Sequence, residues 1–99
     1  MYRPLPNYLT IKPSEIEGLG LFTTDDIDNK HVLGITHVYD IRFQDSFIRT
    51  PLGGFFNHSE TPNCEIIRDG EFLKLKAIRD IKAGEEITAR YTLYDPTKL

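Results

Sequence analysis

The sequence has little cysteine: one residue, Cys64, in 99. A single cysteine cannot form an internal disulfide, and it rules out every zinc framework built on several cysteines. Long apolar runs are missing too. No segment approaches the roughly 20 residues that a membrane-spanning helix needs. The opening stretch MYRPLPNYL carries Pro4 and Pro6 instead of an apolar run of signal length. These absences make an intracellular, reducing compartment the expectation, cytoplasmic or, in a eukaryotic host, nuclear, with no secretion and no membrane. An excess of basic charge is also absent. Lys and Arg total 12 against 15 Asp and Glu, a net charge of −3, and the basic residues form no block. That balance argues against direct nucleic-acid binding and favours a partner that is itself basic. No linker or low-complexity stretch interrupts the chain. A hydrophobic content of 39% with 27% charged residues is ordinary for a globular domain, and this length supports one domain with one small core.

Helical periodicity is scarce, and short apolar runs bounded by turn residues recur. YLTIK (8–12) reads as a strand ended by Pro13, GLGLFTT (18–24) as a Gly-rich turn entering a strand, and HVLGITHVY (31–39) as a strand with a glycine inside it. NCEIIRDGEFLKLKAI (63–78) predicts a hairpin turning on Asp69-Gly70, where both turn residues tolerate positive φ. EEITARY (85–91) predicts a last strand. The expected class is mostly β, with one helical turn near 25–29 or 43–47. TTDDIDNKHVLGI and AIRDIKAGEEITA echo one another, and two similar turn-to-strand segments account for the echo more simply than a true repeat.

PLGGFFNHSETPNC (51–64) concentrates the residues that could carry chemistry. A Ser-His pair must face one another, but adjacent residues on an extended segment point apart, so His58 cannot readily serve Ser59. No Gly-x-Ser-x-Gly elbow is present. His58 and Cys64 match no standard metal-ligand spacing. Taken alone, the segment reads best as a turn, with Asn57 and Ser59 bonded to local backbone before Pro62. Gly18-x-Gly20 is equally open: glycines admit a ligand close to the backbone but also serve plain turns, and the full dinucleotide-binding pattern is missing. Tyr91, near the end of the last predicted strand, would ordinarily be a core residue with its hydroxyl at the rim.

Together and in order, three elements say more. Gly18-x-Gly20-Leu21-Phe22, then Asn57-His58-Ser59-x-x-Pro62-Asn63, then Asp80-Ile81-x-x-Gly84-Glu85-Glu86-Ile87-Thr88-x-x-Tyr91 resemble the SET domain of protein-lysine methyltransferases. The resemblance spans about residues 8–94, and the small size looks like the stand-alone SET proteins of viruses and bacteria. It implies a single minimal domain over 1–99, a β-clip-like fold of several small sheets, and a C-terminal pseudoknot. It implies S-adenosyl-L-methionine as cofactor, with Gly18, Leu19, Gly20 and Asn57 and the backbone of His58 around it. It implies Tyr91 as the catalytic tyrosine, no metal, and a lysine in a basic protein or peptide as substrate. Gly53 and Gly54 would ease passage into the crossing, and at least one of Phe55 and Phe56 would face the core.

The sequence departs from the family pattern in places. The cysteine that often follows Asn-His-Ser and shares a zinc is here Glu60, and the stretch YTLYDPTKL (91–99) holds no cysteine, so a zinc-bound segment after the domain is not expected. Cys64 reads as a small core residue. The region before the motif, roughly 40–54, is short, and the strand-end tyrosine of the lysine pocket aligns with Thr36 or His37, leaving Tyr39 as the substitute. Tyr94 would cover the lysine channel, and a homodimer would complete the pocket. Ala89, where some relatives carry Phe or Tyr, would leave room for more than one methyl group. Glu60, Asp69, Glu71, Glu85 and Glu86 read as solvated acids that could also attract a basic peptide. The alternative function is a SET-like module that binds cofactor or basic peptide without turnover.

Overall fold

The structure, a computed structural model, describes residues 5–39 and 47–90. β1 (Leu9–Pro13) and β2 (Leu19–Thr23) form an antiparallel ribbon running from Leu9↔Thr23 to Pro13↔Leu19. β3 (Val32–Tyr39), β4 (Phe47–Arg49), β6 (Cys64–Asp69) and β7 (Phe72–Ala77) make an antiparallel sheet in the order β4-β3-β7-β6. β5 (Asn57–His58) and β8 (Thr88–Ala89) pair in parallel. The period-two rule is plain in β7, where Leu73, Leu75 and Ala77 are buried while Lys74 and Lys76 point away. Leu21, Leu75, Ile81, Ile87 and Cys64 are fully buried and join the sheets in one core. No helix among the described residues is long and apolar enough to cross a membrane.

Three expectations change in detail. Asp69 pairs with Phe72, so the hairpin turns on Gly70-Glu71. Gly70 takes φ +61° and Glu71 does not follow it into positive φ, as in a type II′ turn. The helical turn is not at 25–29, where Ile27 instead pairs with Ile81, and residue 47 already lies in a strand. Residues 43–46 lie outside the described residues. The helix is α1 (Pro51–Phe55), with Thr50 as its cap accepting from the Gly53 N–H and Pro51 in its first turn. The glycine pair hid this start, because glycine lowers helix propensity. Within 85–90 the last strand is shorter than expected, with Glu86 bridging to Phe22 and, among the described residues, only Thr88–Ala89 in a ladder.

The two echoing segments turn out to pair with one another. Ile27 and Ile81 exchange both backbone hydrogen bonds, at 2.7 and 2.8 Å. Asp26 Oδ1 accepts from Ala83 N–H, and Asp80 Oδ1 accepts from Asn29 N–H. Each aspartate therefore caps the other segment's turn, and Asp-Ile recurs because both halves of this contact need it.

Residues 85–89 are held on two edges. On one, Thr23 N–H donates to Glu85 O and Ile87 N–H to Leu21 O. On the other lie β5 and the buried Asn63. The 85–89 stretch thus crosses between a segment near the N-terminus and one just past the middle of the chain, an arrangement that accords with the expected pseudoknot.

Candidate functional site

The two asparagines of Asn57-His58-Ser59-x-x-Pro62-Asn63 grip the same strand. Asn63, 3% exposed, donates from Nδ2 to Glu86 O at 2.7 Å and accepts at Oδ1 from Thr88 N–H at 2.9 Å. Its backbone N–H donates to Thr88 Oγ1, and its carbonyl accepts from Ile78 N–H. The side-chain amide acts as a one-residue strand against 86–88. Asn57 takes the Glu86 side chain instead, donating from Nδ2 to Oε2 at 2.7 Å.

Asn57 also reaches the glycine turn. Nδ2 lies 3.1 Å from Ser14 Oγ and 3.3 Å from Glu17 O. Ser14 organises that turn, accepting at Oγ from Ile16 N–H and more weakly from Glu17 N–H, while its own N–H donates to Gly18 O. The Ser14 hydroxyl donates to the Glu86 carboxylate, 2.8 and 2.9 Å from its two oxygens. Gly20 makes room for this: a Cβ there would land on Glu86 Oε2 and come within 3.0 Å of Ser14 Cβ. Thus Gly18, Leu19, Gly20 and Asn57, far apart in sequence, share one corner of the molecule. Leu19 and Ile16 stand exposed beside it, at 54% and 52%.

His58 adjoins the corner through β5, where it pairs with Ala89. Its Nε2 lies 2.8 Å from Glu60 Oε1. Glu60 O accepts from Arg90 Nη2 at 2.8 Å, and its carboxylate lies 3.5 Å from Arg90 Nε. The hydrogen bond from His58, then its charge and that of Arg90, hold the Glu60 carboxyl below the usual range. Ser59 makes the local turn expected of it, Oγ accepting from Thr61 N–H at 3.0 Å. Asn57 does not; its partners are all distant in sequence. Ala89 is fully buried in the core. Tyr39 sits at the hairpin end of β3, donating from its N–H to Glu71 O, with the Arg68 guanidinium 5.9 Å from its ring centroid. Tyr91 and Tyr94 lie outside the described residues. Cys64 is a core residue whose thiol burial pushes up to about 12. Among the described residues no three of His, Cys, Asp and Glu converge as a metal cluster.

Sequence reasoning missed Ser14 altogether and grouped Glu86 with solvated acids. The available signal was positional: Glu86 stands between buried Ile87 and the Gly84 turn, inside a motif already singled out. Asn63 is a buried clamp, a role that its place in the motif did not reveal.

Comparison with known proteins agrees with this architecture. The SET domain profile matches residues 36–92, more than half of the chain. The chain is 49% identical over 41 residues to the histone-lysine N-methyltransferase SMYD3 of Mus musculus, a match covering 41% of this chain and 10% of that protein. It is 41% identical over 46 residues to a SET and MYND domain-containing protein of Dictyostelium discoideum, covering 46% of this chain and 11% of the other. The chain thus spans about a tenth of these relatives' length. The crystal structure of Plasmodium falciparum PFL0690c superposes with a TM-score of 0.69 at 19% identity, covering 88% of this chain and 95% of that one. The methyltransferase domain of human PR domain-containing protein 2 gives 0.66 at 16% identity, covering 86% and 77%. With the profile match over the asparagine clamp and β8, and small sheets that superpose on these structures, the chain belongs to the SET domain family.

Proposed function

We propose that this chain transfers a methyl group from S-adenosyl-L-methionine to the side-chain amine of lysine in a basic protein. The observation that carries the reading is the Asn57 side-chain amide, which ties the 14–18 turn to Glu86, five residues before Tyr91 in the sequence. The corner fits a cation of this kind. The cofactor has a sulfonium and an α-ammonium, and the corner offers a carboxylate, the Glu17 carbonyl and the Asn57 amide oxygen. When bound, the cofactor supplies a methyl group already activated on sulfur, so little acid or base chemistry is asked of the protein.

The chain's own residues have three tasks in this reading. Asn57, the 18–20 backbone and the His58 backbone hold the donor. Tyr91 orients the lysine amine in line with the methyl, where near-attack geometry supplies much of the rate. An apolar channel favours the neutral, nucleophilic amine, and carbonyl dipoles around the methyl suit its positive charge. His58, turned to Glu60 on the exposed side, is not asked to move a proton. The acidic balance of the chain favours a substrate rich in Lys and Arg.

Labelled methyl transfer to lysine-rich proteins tests the reading, with product identified by mass spectrometry. Wild type should modify lysine, and Tyr91→Phe should slow transfer by about tenfold or more. Cofactor binding with no transfer to any protein offered would overturn it in favour of a module that binds without turnover.

A further inference from the structure

We infer that Glu86 and Ser14 are positioning residues for the cofactor site, acting through Asn57 by fixing which end of its amide faces the ligand. The inference deepens the proposed function and rests on Asn57 being a cofactor contact. The three partners around Asn57 Nδ2 settle the sense of the amide chemically. An ionised Glu86 carboxylate and the Glu17 carbonyl can only accept, and the one hydroxyl hydrogen of Ser14 is committed to Glu86. Only the NH2 end of Asn57 can donate to them, its two hydrogens shared among three acceptors. Flipping the amide would set its oxygen 2.7 Å from a carboxylate oxygen, with no hydrogen between them.

Oδ1 is therefore left on the other side. Among the described residues no donor reaches it, and Asn57 is only half-buried. The corner presents one oriented acceptor, which selects a donor group of the ligand. Without Glu86 the amide could turn either end outward, and the site would lose that selectivity. Gly20 belongs to the same device, since a side chain there would displace the carboxylate.

Two measurements test this. The first needs no ligand. In 15N–1H spectra the Asn57 side-chain NH2, assigned by its loss in Asn57→Ala, should show one downfield, exchange-protected proton. Glu86→Ala should abolish that signature, and Glu86→Gln, which keeps an acceptor oxygen, should retain most of it. An Asn57 NH2 signal that Glu86→Ala leaves unchanged would overturn the inference.

The second is a double-mutant cycle read by calorimetric affinity for S-adenosylhomocysteine. Glu86→Ala should weaken binding about fivefold or more in wild type, but less than about twofold when Asn57 is already Ala. Glu86→Gln should recover most of the loss. Equal losses in both backgrounds, with unchanged unfolding midpoints, would mean that Glu86 does not act through Asn57. Absence of binding by wild type would instead sink the cofactor reading, and the spectra would still decide whether the amide is held.

Discussion

Asn57 and Asn63 stand six residues apart in one motif, yet they make different demands on the fold. Asn63 is buried with its amide fully bonded to the 86–88 backbone. Asn63→Ala would leave a carbonyl and an N–H without partners, so we expect a loss of about 2–4 kcal/mol in urea unfolding. Asn57 is half-exposed, and its partners could turn to water. Asn57→Ala should cost less than about 1.5 kcal/mol of stability while weakening cofactor affinity. The same denaturation series, paired with calorimetry, separates the two roles. Cys64 gives a third prediction. A thiol pushed up to about 12 by burial stays protonated, so native protein should resist iodoacetamide at pH 8 and react on unfolding. Its folded value lies above the unfolded one, so its contribution to stability is complete below about pH 9 and is lost as pH rises toward 12. At this scale the sequence singled out Asn57 and the Gly18–Gly20 turn, but neither Ser14 nor Glu86 as their partners. Ser59 bonds where a local rule puts it, whereas Ser14 and Glu86 meet Asn57 from 43 and 29 residues away, and no local pattern encodes that.

The strands were legible because their alternation of apolar and polar residues is strong, as in β7. α1 was not, because two of its five residues are glycines. Those two glycines have different reasons to be there. A Cβ on Gly53 would fall on the Thr36 carbonyl and lie 3.2 Å from Arg49 Cγ, whereas one on Gly54 would meet only Arg49 Cδ at 3.8 Å. Gly53→Ala should therefore destabilise by about 1–3 kcal/mol. Gly54→Ala should be neutral or stabilise by up to about 1 kcal/mol through helix propensity. Urea midpoints of the two variants check the contrast. Of the two, only Gly53 lies against another backbone, and that backbone is β3 rather than the 85–89 crossing.

The turn before β8 carries a pH signature. The side-chain bond from Arg79 and the Lys82 N–H hold the Glu85 carboxyl below the usual range. A lowered folded value adds stability above the unfolded carboxylate pKa, about 4.3, and loses it as pH falls through the folded value. Glu85→Gln should be less stable than wild type at pH 7, by less than about 1 kcal/mol given the exposure of the pair. The difference should fade in acid.

At the scale of the molecule, the sheets are small, and what joins them is the 85–89 crossing. The sequence announced it only through resemblance, because a strand bonded to β2 on one side and to an asparagine side chain on the other has no period to read. The Ile27–Ile81 pairing was likewise visible as an echo, but its meaning required the fold. A ligand that ties the 14–20 turn to β5 should stabilise the whole domain, by about 2.7 kcal/mol at one hundred times its dissociation constant.

The central claim is that this corner binds the cofactor through Asn57, and calorimetric titration with S-adenosylhomocysteine of wild type and Asn57→Ala tests it most directly. The account predicts saturable one-to-one binding by wild type, weakened about tenfold or more in the variant. No binding by wild type at millimolar ligand, or equal binding by both proteins, would contradict it.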